Sequence, residues 1–114
     1  SYSTRGFIGF FRHFKIQKDD ITFGNDIICG WNTSFATTNG HAVYVDGEEK
    51  PKTAPVHIGN HVWLGSDCVV SKGVRIADHA IVSHHSVVLK SLDTPHAIYG
   101  GYPARLLKTG ADWK

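Results

Sequence analysis

One histidine lies outside the regular part of the sequence and is the first candidate for chemistry. His41 follows Gly40 in a stretch that also contains the turn signal Asp46-Gly47 and two prolines, which indicates a long loop. Long loops that leave a rigid scaffold often carry function. An imidazole titrates near neutral pH, so it suits a general base that removes a proton from a hydroxyl group. His41 is therefore a candidate for a general base, although a lone histidine in a loop is more often simply solvated.

Other histidines have spacings that suit a metal site. The chain contains 8 histidines; His61 and His79 are 18 residues apart, and His79 and His84 are five apart. Three imidazoles and an open water position would make a catalytic zinc site, because zinc lowers the pKa of its bound water. This zinc interpretation stays open as an alternative to a loop base.

The segments that must position these residues follow a sequence repeat of six residues. From Ile58 to Leu92 every sixth residue is aliphatic, and a small residue follows it in most units. A period of six fits neither a helix nor an alternating strand. It is typical of a parallel β-helix, in which short strands alternate with corners and the coils bury a core by stacking. If three units make one coil, residues 18 apart should lie above one another.

The same repeat occurs earlier in the chain. Residues 23–35 align with residues 58–70 without a gap, and the two passages flank an interruption at residues 36–57. We predict one domain over residues 1–114, with residues 36–57 as an inserted catalytic loop.

These motifs resemble the left-handed β-helix of the hexapeptide-repeat acyltransferases. Within that family the chain is most similar to the galactoside, maltose and capsular-sugar O-acetyltransferases. The resemblance implies an all-β, left-handed parallel β-helix with an extended loop, assembled as a homotrimer. Pro103 is expected to open a short C-terminal helix through Leu107. The matching segments are His57-Ile-Gly-Asn-His-Val-Trp-Leu-Gly-Ser66, Lys72-Gly-Val-Arg-Ile76, Ser86-Val-Val-Leu-Lys90 and Gly101-Tyr-Pro-Ala-Arg105.

The chemistry that the resemblance implies is acetyl transfer from acetyl-CoA to a hydroxyl of a saccharide or sugar nucleotide. In the resembled enzymes a loop at this point delivers the catalytic histidine after a glycine, the position that Gly40-His41 occupies. His41 would take the hydroxyl proton, and the Ser66 amide is the candidate donor to the oxyanion. An amine acceptor stays open.

The resemblance also carries cofactor contacts onto this chain. Pantetheine contacts fall on Trp63, Ser66 and His84. Contacts with the CoA phosphates or adenine fall on Lys90, Arg105 and Lys108, and cationic side chains suit phosphates as charge-assisted donors. His84-His85 departs from the Ala-Gly that is common at this place in the family.

One further departure concerns the residue that orients the catalytic histidine. The galactoside-type enzymes use an asparagine near the start of the domain, where this chain has Phe10, Phe11 and Arg12. Asn32 and Asn39 are the alternative orienting candidates.

Composition narrows the setting. With 12 basic and 10 acidic residues the net charge is only +2, which argues against a nucleic-acid or membrane partner. Cys29 and Cys68 fall on inward-facing repeat positions, so we predict two core thiols in a reducing cytoplasm. The chain has no methionine and starts at Ser1, so we expect a piece of a longer protein that lacks its N-terminal part.

Two alternatives to acetyl transfer are kept. The γ-class carbonic anhydrases share the β-helix and bind zinc through three histidines, two of them five residues apart, as His79 and His84 are. In that class the first histidine directly follows the Ile-Gly corner, whereas Asp78 intervenes here after Ile76-Ala77. The other alternative is a β-helix without catalytic activity that serves as an assembly platform.

Overall fold

The chain folds as a stack of short strands. The computed structural model describes the backbone of residues 2–3, 9–11, 15–16, 21–35, 43–50 and 54–114, and the side chains of residues 21–35, 44–49 and 54–114. Everything described is strand or turn. In chain order the strands are β1 (Tyr2–Ser3), β2 (Gly9–Phe11), β3 (Lys15–Ile16), β4 (Ile21–Phe23), β5 (Ile27–Cys29), β6 (Ser34–Phe35), β7 (Val43–Val45), β8 (Glu48–Lys50), β9 (Val56–Ile58), β10 (Trp63–Leu64), β11 (Val69–Val70), β12 (Arg75–Ile76), β13 (Ile81–Val82), β14 (Val87–Val88), β15 (Ala97–Gly101) and β16 (Ala104–Thr109).

Three sheets form the walls of a prism. Sheet A has the order β1-β6-β11-β14, sheet B has β16-β15-β13-β10-β5-β2, and sheet C has β12-β9-β4-β3. The chain passes from C to B to A in each coil, so the prism has three corners. The first corner joins sheets C and B, the second joins B and A, and the third joins A and C. The strands from β4 to β6 and from β9 to β15 pair in parallel across coils, whereas β1, β2, β3 and β16 pair antiparallel.

The register confirms the predicted stacking. Trp63 pairs with Ile81, Val70 with Val88, and Ile58 with Ile76, so consecutive coils of the later passage are offset by 18 residues. Across the interruption, Phe23 pairs with Ile58 and Cys29 pairs with Leu64. The two passages that align in sequence are therefore neighbouring coils.

The core follows the first place of each hexapeptide. Leu64, Val70, Ile76 and Val82 are buried, while the preceding residue in each strand faces outward or is half-buried. Burying an aliphatic side chain contributes roughly 1.5–3 kcal/mol each, and only the stacked coils make that burial possible.

The corners explain another regularity of the repeat. At the first and second corners the second turn residue has a positive φ: Asp26, Asn32, His61, Asp67, His79 and His85 all lie between 54° and 62°. Asn, Asp and His tolerate this left-handed conformation better than other residues that carry a side chain. The fourth place of the hexapeptides at these two corners is polar for this reason, a constraint that the sequence alone did not reveal.

The interruption contains a hairpin. Strands β7 and β8 pair antiparallel through the turn Asp46-Gly47, which confirms the turn signal, and the coil resumes at β9. The catalytic candidate His41 and the orienting candidate Asn39 lie outside the described residues.

The predicted C-terminal helix is wrong. Residues 104–109 form β16, which pairs antiparallel with β15 after the turn Tyr102-Pro103. Proline suits a turn as well as a first helical position. Here the exposed edge of β15 offers hydrogen-bond partners to the following segment, and a strand satisfies them.

The two cysteines are free, buried core thiols, as predicted. Burial raises the pKa of the Cys29 thiol from 9.0 to about 12, and it also raises the pKa of Cys68. Neither thiol is a good nucleophile, because the thiolate is the reactive form.

The Cys29 shift predicts a loss of stability in alkali. Above about pH 9 the unfolded chain loses the thiol proton while the folded chain keeps it until about pH 12, so the stabilisation present below pH 9 fades across this window. We expect the urea midpoint to fall between pH 8 and pH 10.5, and to fall less in Cys29→Ala. Equal falls in the two proteins would contradict this assignment.

Candidate functional site

The second corner is held together by a ladder of turn residues. The Trp31 N–H donates to Ser66 Oγ at 3.0 Å, and the Ser66 N–H donates to His84 Nδ1 at 2.7 Å. The first turn residue in each coil thus finds its acceptor in the side chain of the coil above. Asn60 and Asp78 make the same kind of ladder at the first corner.

Close packing at the second corner explains its glycine. A Cβ at position 65 would lie 2.6 Å from the His84 backbone nitrogen. Because the contact is with a backbone atom, a side chain at position 65 would fit only if a whole coil shifted. Gly65 therefore lets the Ser66 amide approach the His84 ring, and the small second place of this repeat unit is required by stacking.

The ladder determines the proton position of His84. Because Nδ1 accepts the Ser66 N–H, the neutral ring carries its proton on Nε2. In this arrangement His84 is a donor at Nε2 and is not available as a base. The amide that the sequence analysis assigns to the oxyanion is already bonded, and the donor that remains at this point is the exposed imidazole.

Two of the predicted phosphate contacts line the same cavity. Lys90 and Arg105 line one cavity of about 280 Å³, with Leu89, Pro103 and Ala104. The turn Tyr102-Pro103 brings Arg105 there by folding β16 back along β15. Lys108 lies farther along β16, opposite Ile98, and is outside this lining.

The remaining candidates are placed on the outside of the prism. Trp63 is 39% exposed on β10, and its ring centroid lies 6.1 Å from that of Trp113. Asn32 is exposed in the turn below Asp67. The structure therefore brings Ser66 to His84 and Lys90 to Arg105, and leaves Trp63 and Asn32 apart from those pairs.

The zinc-enzyme interpretation is not supported by the grouping of side chains. His61 and His79 stack as their spacing predicts, with ring centroids 5.0 Å apart. Among the described residues, His61, His79 and Asp112 form the group of three possible metal ligands whose ligand atoms all lie within 4.8 Å of one another. His84 faces the Ser66 amide at another corner. The five-residue spacing of His79 and His84 thus does not make one site.

The repeat itself matches a known family. Residues 55–90 match the family described as "Bacterial transferase hexapeptide (six repeats)". The chain is a hexapeptide-repeat protein. Its walls, corners and coil register are those that this repeat specifies.

Relatives of this hexapeptide-repeat chain are acetyltransferases. It is 30% identical over 115 residues to the galactoside O-acetyltransferase of Escherichia coli K12, an alignment that covers 95% of this chain and 56% of the relative. It is 36% identical over 80 residues to a probable macrolide acetyltransferase of Lysinibacillus sphaericus, covering 70% of this chain and 39% of the relative. The chain thus spans about half the length, or less, of the curated relatives it matches.

Solved structures bear out the fold. A galactoside acetyltransferase in complex with coenzyme A superposes with a TM-score of 0.68 at 31% identity, over 79% of this chain and 45% of the other. The polySia-specific acetyltransferase NeuO superposes with a TM-score of 0.78 over 82% and 44%; at 21% identity it speaks for the fold alone. The left-handed parallel β-helix expected from the sequence is thereby confirmed.

A second cavity of the hexapeptide-repeat chain was missed by the sequence analysis. It measures about 430 Å³ and lies over sheet C near the first corner, where Thr22, His57 and Arg75 occupy paired outward positions. The signal for this cavity in the sequence was the 18-residue spacing of His57 and Arg75.

The described part of the chain has no helix of the length and apolarity needed to cross a membrane.

Proposed function

We propose that this chain is the β-helical part of an acetyl-CoA-dependent O-acetyltransferase that acts on a hydroxyl of a saccharide or sugar nucleotide. The observation that carries the proposal is the cavity that Lys90 and Arg105 share on a hexapeptide-repeat scaffold. Two cations at one cavity suit the phosphates of CoA. A relative with the same fold was solved with coenzyme A bound, which supports this choice of ligand.

The cofactor would lie along sheet A. His84 stands at the second corner and Lys90 at the third, so one wall of the prism separates them. Six residues of extended chain span at most about 20 Å. An elongated CoA molecule can place its thioester near Ser66 and His84 while its phosphates reach Lys90 and Arg105.

The acetyl group would pass directly from CoA to the acceptor, through one tetrahedral intermediate and without an acetylated residue of the protein. His41 takes the proton of the acceptor hydroxyl, the oxygen forms a bond to the thioester carbonyl carbon, and the C–S bond breaks. The CoA thiolate leaves and takes up a proton, and the acceptor becomes an acetyl ester. A base with a pKa near neutrality is needed, because an alcohol is a weak nucleophile.

The Ser66–His84 pair supplies the oxyanion donor in this proposal. The Ser66 N–H donates to His84 Nδ1, which fixes the orientation of the ring. The His84 Nε2–H group then points away from the corner and can donate a hydrogen bond to the negative oxygen of the tetrahedral intermediate. A preorganised donor at such a position contributes about 10²–10³-fold to the rate.

The base is tested by acetyl-CoA turnover, read as free thiol release, with a panel of sugars, sugar nucleotides and amines. We expect a sugar to stimulate release by the wild type, and His41→Ala to lose at least about 10²-fold in kcat with CoA binding retained. His85→Asn is the matched control, because that ring is exposed at a corner and asparagine suits its φ of 62°. All three proteins should sediment as the proposed homotrimer, three times the 12.6 kDa chain mass. Unchanged kcat in His41→Ala would remove His41 from the mechanism, and stimulation by amines alone would replace the acceptor class.

The oxyanion role is tested at His84. Because the donor acts on the intermediate, His84→Ala should lower kcat by about 10²-fold while the KM for acetyl-CoA changes little. His84→Gln, which keeps a donor group, should recover part of the loss. A rise in kcat on removing the ring would mean that the freed Ser66 amide is the donor and that His84 obstructs it.

The phosphate contacts are tested by comparing acetyl-CoA with its analogue lacking the 3′-phosphate. We expect Lys90→Ala and Arg105→Ala each to raise the KM for acetyl-CoA about tenfold or more, because each removes a charge-assisted hydrogen bond. For at least one of the two variants, the rise in KM should be smaller with the analogue, because the analogue lacks the 3′-phosphate that the cation would contact. Lys114→Ala, an exposed lysine outside the cavity, serves as the control. Unchanged KM values in both cavity variants would overturn the placement of the cofactor.

A further inference from the structure

Three histidines form a column at the first corner. His61, His79 and His96 occupy the same turn position in successive coils, with φ values of 54°, 59° and 51°. The rings of His61 and His79 lie 5.0 Å apart, and those of His79 and His96 stack at 4.3 Å. The turn itself does not require histidine, since Asn32 and Asp67 satisfy the same conformation at the second corner.

The C-terminal segment returns to this column and adds a carboxylate. Trp113 is buried and stacks on His61 at 3.8 Å; its indole N–H donates to the His61 carbonyl at 2.9 Å. This contact holds Asp112 against the histidines. Asp112 Oδ1 lies 3.4 Å from His79 Nδ1 and 3.8 Å from His61 Nε2, and Oδ2 lies 3.9 Å from His96 Nδ1.

These distances approach those of a tetrahedral metal site. Zinc takes imidazole nitrogen and carboxylate oxygen at about 2.0–2.2 Å, so its ligand atoms lie about 3.4 Å from one another. The ligand atoms of His61, His79 and Asp112 all lie within 4.8 Å of one another, and the two contacts to Asp112 are within about 0.4 Å of the tetrahedral edge. Small ring rotations would bring the set to bonding distance.

We propose that His61, His79 and Asp112 bind one divalent transition-metal ion of the zinc class, with His96 within reach as a fourth ligand. The set of imidazoles and one carboxylate favours zinc, nickel or copper over magnesium and calcium. The backbone N–H of Trp113 donates to Asp112 Oδ1 at 2.8 Å. This hydrogen bond orients the carboxylate without contacting the metal itself. On binding, the proton by which His61 Nε2 now donates to the Trp113 carbonyl at 2.7 Å moves to Nδ1, and Nε2 exchanges that hydrogen bond for the metal.

The consequence would be structural. Four protein ligands close a zinc site and leave no open position for chemistry. The metal would fasten the C-terminal segment to three successive coils, at a different corner from Ser66 and His84.

The test is zinc titration of the full chain without a polyhistidine tag, by calorimetry and by competition with a chromophoric chelator. We expect one zinc per chain with micromolar affinity or better, and no binding of magnesium under the same conditions. Cobalt in place of zinc should give the intense visible absorption of a tetrahedral site.

Two variants and a matched control locate the ion. His79→Asn keeps a residue suited to a φ of 59°, and Asp112→Asn removes a ligand from outside any turn ladder; each should weaken zinc binding at least tenfold. His85→Asn makes the same substitution at a φ of 62° at the second corner and should bind zinc like the wild type. Zinc should also slow hydrogen exchange of the Trp113 amide in the wild type and not in Asp112→Asn.

Three results would overturn the proposal. They are no zinc bound in the micromolar range, equal zinc affinity in the wild type and both ligand variants, or a loss of binding in His85→Asn.

Discussion

The hydrogen bonds between coils are the interaction on which the rest of the structure depends. Each strand has only two or three residues in most of the coils, too few to be stable alone. Parallel pairing at a constant register gives each strand a neighbour above and below, and the aliphatic first places then close a common core. The same register places equivalent residues of successive coils in columns, so a side chain acquires its partner from a position 18 or 35 residues away. Ser66 and His84 become one unit in this way.

Much of this architecture was predictable because it is periodic. The coil register, the inward thiols and the stacking of His61 on His79 all follow once the period of six is recognised. The hairpin at Asp46-Gly47 follows from local turn chemistry. The C-terminal helix was mispredicted because Pro103 is compatible both with a turn and with a helix start. The following segment forms a strand because it pairs with the free edge of β15, a tertiary contact that no local sequence pattern indicates.

The candidate site was less predictable. Its residues are identified from the family resemblance and from their spacing in the sequence. Which hydrogen bonds they form depends on differences of a few tenths of an ångström in the positions of the corner turns. The sequence places His84 above Ser66, but only the structure shows that the His84 ring accepts a hydrogen bond from the Ser66 N–H. Lys90 and Arg105 are 15 residues apart without a common period, and the turn at Pro103 brings them together. His61 and His79 attract attention as possible metal ligands in the sequence, and the structure shows that both also occupy turn positions with a positive φ.

The antiparallel strands at the ends of the prism bear on how copies of this protein meet. A parallel coil leaves a row of free N–H and C=O groups at each end, and another copy could add its own coil there in the same direction. Strands β1, β2 and β3 cover the lower edges of sheets A, B and C, and β16 covers the upper edge of sheet B, all in the opposite direction to the coils. A reversed strand interrupts the register that a continuing coil would need. These four strands therefore act against head-to-tail growth of a fibre.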